Sequence, residues 1–177
     1  TYMLSENEAP EGYKIAEKAV EFTVNADGTV STGGAVKQDA DGTYLVTMTD
    51  EPIGELTFSG TKIWKDGNNE NKTRPDSITV VLQRKLAKSA LTGDSEPWTD
   101  YLETTASKPY YRFSFNDELA KKAGKRIFET NEFGVNYEYQ IVERLSGNAI
   151  DRYTAEKGGL AVKNGSSGDY EITNTLK

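Results

Sequence analysis

A lysine on the apolar face of a predicted β-strand constrains the fold of this chain more than any other feature. In the stretch "LTFSGTKIW", which begins at Leu56, strand alternation puts Leu56, Phe58, Lys62 and Trp64 on one face. An unpaired ammonium group in an apolar core is costly, because burial removes its hydration. The core that receives Lys62 must therefore place polar partners beside it.

Strand patterns dominate the rest of the chain. Asp27-Gly28 and Asp41-Gly42 are predicted hairpin turns, in which glycine supplies the positive φ that the reversal needs. The segment between Asn116 and Arg126 could be helical, and a helical turn or an irregular loop is predicted there. Segments rich in β-branched and aromatic residues lie between the turn signals: "KAVEFTV", "TYLVTMT", "DSITVVLQRK", "PYYRFSF", "VNYEYQIVER" and "DYEITNT". The chain is therefore predicted to be all-β and built from sandwiches.

Two domains are predicted, with a boundary near residues 50–55, where Pro52 and Gly54 interrupt two strand-like stretches. Residues 54–177 are long enough for a complete β-sandwich. Residues 1–53 supply only three or four strands, and a sheet with one apolar face needs a partner layer. We expect the first segment to be the C-terminal part of a sandwich whose early strands come from residues upstream or from another polypeptide.

Composition removes several classes of function. The 177 residues include 28 acidic and 21 basic ones and carry a net charge of −7, which argues against nucleic acid as a partner. The absence of cysteine and histidine excludes disulfides, thiol nucleophiles, Ser-His-Asp triads and the common zinc sites. We expect no cofactor, no metal and no membrane span, which leaves carboxylate, amine, amide and hydroxyl chemistry.

Two further polar residues share the predicted core faces. Glu143 alternates with Ile141 on the apolar face of "VNYEYQIVER", and Asn174 alternates with Ile172 in "DYEITNT". Two simpler interpretations remain. Each of the three polar residues, Lys62 included, could sit at a strand end and reach solvent, or Lys62 and Glu143 could form a buried ion pair. Three such residues together favour a shared site.

The motifs around these residues resemble a known family. "FSGTKIWKDGNNENKTRPDSITVVLQ", "YYRFSF", "YEYQIVER" and "YEITNT" are similar to the Cna B-type domains of Gram-positive surface adhesins and pilins, and the most specific pieces are "TKIWKD", "RPDSI" and "ITNT". The opening "YMLSENEAPEGY" resembles the pilin E-box. The resemblance implies Ig-like sandwiches of the inverse, prealbumin-like kind in tandem, incomplete over residues 1–53 and complete over residues 54–177.

For the second domain the resemblance implies a self-generated isopeptide bond. Lys62 would supply the amine, Asn174 the acyl group and Glu143 the acid that promotes the reaction. Asp76 and Asp94 are rival acids, because some members of the family carry the helper carboxylate on another strand.

For the first domain the resemblance implies Glu6 as the E-box acid and Asp50 as the acyl acceptor. The lysine partner of Asp50 is not identifiable in this chain, so the bond, if it forms, needs a lysine from a polypeptide that completes the domain.

The predicted function is a structural or stalk fragment of a Gram-positive surface adhesin or pilin, extracellular and anchored to the cell wall, with anchor and signal peptide outside this fragment. Its chemistry would be single-turnover autocatalytic cross-linking, so it is not an enzyme. Partners would be neighbouring domains of the same surface protein. Alternatively, the modules themselves bind host matrix protein, or the chain is a transthyretin-like enzyme or carbohydrate-binding module.

Two local patterns have a competing interpretation. "DGNNEN", from Asp66, faintly resembles a calcium loop but lacks the full ligand spacing, so a turn is predicted. Trp64 and Trp98 suggest a carbohydrate platform, yet inward aromatics at period two are more often core residues.

Overall fold

The computed structural model describes residues 1–16, 18–32, 36–87, 96–155, 160–162 and 169–177. The chain forms two compact units: the first comprises residues 1–54 and 130–134, and the second comprises residues 55–129 and 135–177. Strands outnumber helices by fifteen to two among the described residues, so the all-β prediction is confirmed. Within the described residues, neither helix has the length and apolar character needed to cross a membrane.

The first unit contains seven short strands: β1 (Tyr2–Leu4), β2 (Tyr13–Lys14), β3 (Val20–Val24), β4 (Val30–Thr32), β5 (Val36–Gln38), β6 (Tyr44–Val46) and β7 (Glu51–Pro52). They form three small antiparallel sheets, β1-β3-β4, β2-β7 and β5-β6. Gly28, between β3 and β4, and Gly42, between β5 and β6, both have a φ of +83°. Both predicted hairpin turns are therefore confirmed.

The first unit buries little apolar surface. Ile53 is its only buried hydrophobic residue among those described. Large apolar side chains that a sandwich would cover are exposed, including Tyr2 at 61% and Met3 at 71%. A sheet with one apolar face needs a second layer to cover it, and among the described residues these apolar side chains are left in water.

The second unit contains the remaining elements: β8 (Phe58–Lys65), β9 (Ser77–Leu86), β10 (Thr99–Ser107), β11 (Arg112–Phe115), α1 (Asp117–Lys122), β12 (Tyr137–Arg144), α2 (Asn148–Arg152), β13 (Tyr153–Ala155), β14 (Leu160–Val162) and β15 (Asp169–Leu176). Two four-stranded sheets result, β11-β8-β15-β13 and β10-β9-β12-β14. Among the described residues of this unit, the strand pairs are antiparallel except β8 with β15, which is parallel.

Side chains from both sheets of the second unit form one hydrophobic core. Phe58 and Phe115 come from the first sheet, and Val80, Leu82 and Ile141 come from the second. All five are at most 1% exposed. The alternation that predicted an apolar face on β8 and β12 therefore identifies the side of each strand that faces the core.

The predicted helical turn is a short helix, so the alternative of an irregular loop is wrong. Asn116 caps α1, where its side-chain oxygen accepts a hydrogen bond from the Leu119 N–H at 3.0 Å. Gly124 follows the helix with a φ of +66°, a conformation in which glycine is not strained.

In the second unit sequence patterns missed β10, β13, β14 and α2, and in the first unit, for which three or four strands are predicted, seven short strands are present. The reason is clearest in β10, where the register shifts between Asp100 and Leu102, so the apolar alternation is interrupted. β11 is shorter than the predicted strand because Tyr111 has a φ of +49°, which is incompatible with a regular strand. The segment "LAKSALTGDSEP" begins at Leu86, and its Gly93, Asp94 and Pro97 favour a loop over a short helix; it lies largely outside the described residues.

Candidate functional site

Lys62 lies inside the core of the second unit. Strand β8 directs Phe58 and Lys62 to the same face, and the lysine is 3% exposed. The backbone N–H of Lys62 donates to the Tyr111 carbonyl oxygen at 3.0 Å, which fixes the strand at this position. The residue is therefore held in the interior by the strand pairing around it.

Asn174 lies beside Lys62 because β15 pairs with β8 in parallel. In this register Ile172 is opposite Lys62 and Asn174 is opposite Trp64. Lys62 and Asn174 are thus diagonal neighbours on adjacent strands, and their side chains share the core face. Asn174 is fully buried, at 0% exposure.

Glu143 reaches the same place from the opposite sheet. Ile141, two residues earlier on β12, is 1% exposed, and the Glu143 side chain is 5% exposed. Its Oε2 atom lies 3.0 Å from the Lys62 Nζ atom. The structure thus brings an amine, a carboxylate and a carboxamide from three strands into one apolar interior.

The buried amide of Asn174 is unsatisfied. Within the described part of the chain, neither its Oδ1 nor its Nδ2 atom has a hydrogen-bond partner. Leaving such a group without a partner costs about 1–3 kcal/mol, so a native structure retains one only for a reason.

Aromatic rings cover the lysine on one side. The Lys62 Nζ atom is 4.9 Å from the centroid of the Trp64 ring. Tyr111 and Tyr153 contact that ring edge-on, with centroid distances of 5.4 and 4.7 Å. Both tyrosines are buried, and burial raises the pKa of each phenol above its ordinary value.

Of the two rival acids, Asp76 does not approach this cluster. Asp76 is a surface residue whose side chain is 97% exposed and lies 2.9 Å from the Lys108 Nζ atom. Asp94 lies outside the described residues.

The "DGNNEN" segment is a turn, as predicted. Both oxygens of the Asp66 carboxylate are bound by Arg74, at 2.6 and 2.7 Å. This pairing, with two further hydrogen bonds, lowers the pKa of Asp66 to about 2. Sequence reasoning missed this pair, although its two residues come from "TKIWKD" and "RPDSI", the most specific motifs in the chain.

In the first unit the structure brings Glu6 and Asp50 together. Both are partly buried, and Glu6 accepts a hydrogen bond from the Ala16 N–H at 2.7 Å. Burial, followed by a hydrogen bond and charge repulsion from Glu6, raises the pKa of Asp50.

Comparison with known proteins extends the family resemblance. The Cna protein B-type domain family matches residues 58–175. The prealbumin-like fold domain family named SpaA matches residues 1–38, in agreement with the predicted fold class.

Individual relatives are more distant. A collagen adhesin of Staphylococcus aureus is 26% identical over 150 residues, which are 83% of this chain and 10% of that protein. The chain therefore spans about a tenth of that relative.

Two solved structures are similar to this chain at low sequence identity. A single B repeat unit (B1) of the collagen binding surface protein Cna of S. aureus is 19% identical with a TM-score of 0.46, and the match covers 97% of this chain and 71% of that one. The pilus adhesin SpaC of Lactobacillus rhamnosus GG is 16% identical with a TM-score of 0.43, covering 78% of this chain and 14% of that one. Because the family match spans well over half of the sequence, the chain belongs to the Cna protein B-type domain family.

Proposed function

We propose that the second unit forms an intramolecular isopeptide bond between Lys62 and Asn174, promoted by Glu143. The observation that carries the proposal is the burial of all three side chains in one core, with the amine 3.0 Å from the carboxylate and the amide without a hydrogen-bond partner among the described residues. A permanent Lys-Glu ion pair explains two of these groups but leaves the Asn174 amide unexplained.

The reaction begins with proton transfer within the ion pair. The Lys62 ammonium gives a proton to the Glu143 carboxylate, because the apolar interior disfavours both charges. The carboxylic acid then donates a hydrogen bond to the Asn174 Oδ1 atom and polarises the carbonyl.

Bond exchange follows at the Asn174 Cγ atom. The bond from Lys62 Nζ to Cγ forms, and the bond from Cγ to Nδ2 breaks. Glu143 relays the amine proton to the leaving nitrogen, ammonia departs as ammonium, and the glutamate returns to its carboxylate form. The fold holds the reactants together, and such intramolecular reactions reach effective molarities of about 10⁵ M or more. Each chain reacts once, so the product is a cross-linked protein.

The bond would tie the first strand of the second unit to its last. A link between positions 62 and 174 closes a loop of about 110 residues, which in the chain-entropy account used for disulfides stabilises the fold by about 4–5 kcal/mol. A chain without cysteine gains in this way a covalent staple that reducing agents do not open.

The biological role we propose is a structural or stalk portion of a Gram-positive surface adhesin or pilin, outside the cell and attached to its wall. Membership of the Cna protein B-type domain family and the adhesin relatives support this role. Neighbouring domains of the same surface protein are the expected partners. Binding of host matrix protein by the modules themselves is the competing role, and direct binding of these residues to purified matrix proteins would favour it.

We also propose that a lysine-bearing strand completes the first unit and that its amine condenses with Asp50. The exposed apolar side chains of this unit and the contact between Glu6 and Asp50 support the proposal. Here water leaves, since the acceptor is a carboxylic acid. Co-purification of a polypeptide whose lysine is linked to Asp50 would support it, and a freely titrating Asp50 in the full-length protein would contradict it.

Intact-mass measurement tests the main proposal. The protein is expected to weigh one ammonia less than its sequence, about 17 Da, and digestion is expected to yield one branched peptide containing Lys62 and Asn174. Lys62→Ala and Asn174→Ala should each restore the full mass. Lys85→Ala, in the outer ion pair with Glu138, serves as the control and should keep the deficit. A wild-type protein at full mass would overturn the proposal.

A further inference from the structure

We propose that Asp66, Arg74 and Tyr153 form a positioning latch, which holds the Trp64 ring against Lys62 while the cross-link forms. The inference rests on the proposed isopeptide reaction and adds a specific mechanical requirement to it. It also assigns a role to Asp66 of "TKIWKD" and Arg74 of "RPDSI", which the cross-link itself leaves unused.

The ion pair at the base of the latch has a fixed geometry. Arg74 binds the carboxylate of Asp66 through two nitrogens, Nε at 2.7 Å and NH2 at 2.6 Å. The Asn69 N–H donates a third hydrogen bond, at 3.0 Å. The Asp66 side chain is fully buried, and a planar, two-point pair of this kind resists rotation.

Tyr153 connects the ion pair to the aromatic wall. Its hydroxyl group donates to the Asp66 Oδ2 atom at 3.0 Å and lies 2.7 Å from the Thr73 hydroxyl. Its ring packs edge-on against Trp64, with 4.7 Å between centroids. A buried tyrosine anchored at both its ring and its hydroxyl has little freedom to turn away.

Trp64 is the point at which the latch meets the reacting groups. Its ring lies 4.9 Å from the Lys62 Nζ atom, and its backbone is directly opposite Asn174 in the β8–β15 pair. Asp66 follows the last residue of β8, and Tyr153 joins it to Trp64, since the Tyr153 hydroxyl binds the carboxylate and the Tyr153 ring packs against the indole. Movement of Asp66 would therefore reach the Trp64 ring through Tyr153.

The physical effect of the latch is to exclude water from the amine. A withdrawn Trp64 ring would admit water, which stabilises the ammonium form and so removes the nucleophile. It would also give the Lys62 side chain more rotamers, and a displacement of about 1 Å at a reacting group can cost about a hundredfold in rate. The latch should thus affect how fast the bond forms more than whether the domain folds.

The test follows cross-linking in newly made protein. Wild type and variants are synthesised in a cell-free pulse, samples are quenched over time, and the fraction that has lost ammonia is measured in protease-resistant, hence folded, molecules. Tyr153→Phe keeps the ring and removes only the anchoring hydroxyl, and Asp66→Asn weakens the ion pair. Tyr139→Phe is the matched control, because this buried tyrosine also donates one hydrogen bond, to the Phe128 carbonyl oxygen at 2.7 Å, away from the latch.

Tyr153→Phe and Asp66→Asn are expected to slow cross-linking in folded molecules by about tenfold or more, whereas Tyr139→Phe keeps the wild-type rate. Equilibrium stability of each variant is measured in a Lys62→Ala background, where no bond forms. Wild-type rates in both latch variants, with lower stability in that background, would overturn the latch and leave the isopeptide proposal intact. A wild-type protein that never loses ammonia would overturn both. If Asp66→Asn does not fold, the cross-linking rate of Tyr153→Phe alone tests the latch.

Discussion

The two units differ in what surrounds their acidic side chains. In the second unit Glu143 lies in a closed core, 3.0 Å from an amine and near an amide. In the first unit Glu6 meets another acid, Asp50, and apolar side chains such as Met3 stay in water. The comparison teaches that the two units place their acids in different settings, one beside an amine in a closed core and the other beside a second acid in a unit that buries little apolar surface.

The largest effect is expected from removing the acid of the closed site. Glu143→Ala leaves the Lys62 ammonium buried without its counter-charge, which costs about 3–5 kcal/mol, and it also prevents the cross-link. The midpoint of thermal unfolding should fall by roughly 20 °C or more, and the ammonia deficit should disappear. Calorimetry and intact mass measure the two effects.

Glu138→Ala is the matched control on the same strand, because that carboxylate is 43% exposed and pairs with Lys85 on the surface. Glu138→Ala should change neither the midpoint of thermal unfolding nor the ammonia deficit appreciably. A full mass deficit in Glu143→Ala would assign the helper role to another acid.

Replacing a glycine by alanine should destabilise the second unit more than the first. A methyl group on Gly60 of β8 would overlap the Tyr170 carbonyl oxygen and the Phe113 ring, so Gly60→Ala should destabilise the second unit by about 3 kcal/mol or more. Gly28→Ala meets no atom within 4 Å and is strained only by its φ of +83°, a cost of about 1 kcal/mol. Urea unfolding, followed separately for each unit by hydrogen exchange, compares them. An equal loss of stability in the two variants would contradict the contrast between a packed second unit and an open first unit.

A smaller effect on stability is expected when the pH is lowered. The pKa of Asp66 is lowered from 3.8 to about 2, chiefly by its hydrogen bonds with Arg74. A lowered pKa stabilises the folded state above pH 3.8, and this contribution is lost as the pH falls through about 2. The stability difference between wild type and Asp66→Asn should therefore shrink by on the order of 2 kcal/mol between pH 5 and pH 2.

Denaturant unfolding at several pH values measures this difference. Asp76→Asn is the control, since its carboxylate pairs with Lys108 on the surface and solvent screens the pair. A difference between wild type and Asp66→Asn that is constant with pH would mean that the carboxylate is not held in its charged form.

The smallest effect concerns the first unit. Asp50 should titrate above its ordinary value of 3.8, because burial and the neighbouring Glu6 both raise its pKa. Glu6→Gln should bring that pKa closer to the ordinary value by removing the repulsion, and Glu8→Gln should leave it unchanged. Carboxyl NMR resonances measure the titration. An unshifted Asp50 would contradict the contact between the two acids.

Much of the second unit could be predicted from sequence because alternation determines which side of a strand faces the core. It identified the buried faces of β8 and β12, and it assigned Lys62, Glu143 and Asn174 to inward positions, where all three side chains are buried. That the three meet depends on the parallel pairing of β8 with β15, a long-range contact that no local pattern encodes.

Three features that sequence reasoning missed share one physical cause, a break in the regular period of two. β10 contains a register shift, and Tyr111 adopts a positive φ, so the regular period of two is broken at both places. The Asp66–Arg74 pair spans a turn between two strands, where side chains follow no period. Charged residues inside "WKD" and "RPDSI" were the only signal that these positions interact.

The parallel pairing of β8 with β15 has a mechanical consequence. Because the two strands run in the same direction, the start of β8 and the end of β15 lie at opposite ends of their shared ladder. A pulling force applied at those two points shears the ladder, so its hydrogen bonds carry the load together instead of opening one after another. The strand arrangement alone would thus make this unit resist extension. A covalent link between Lys62 and Asn174 would in addition leave the chain between these two residues almost unloaded.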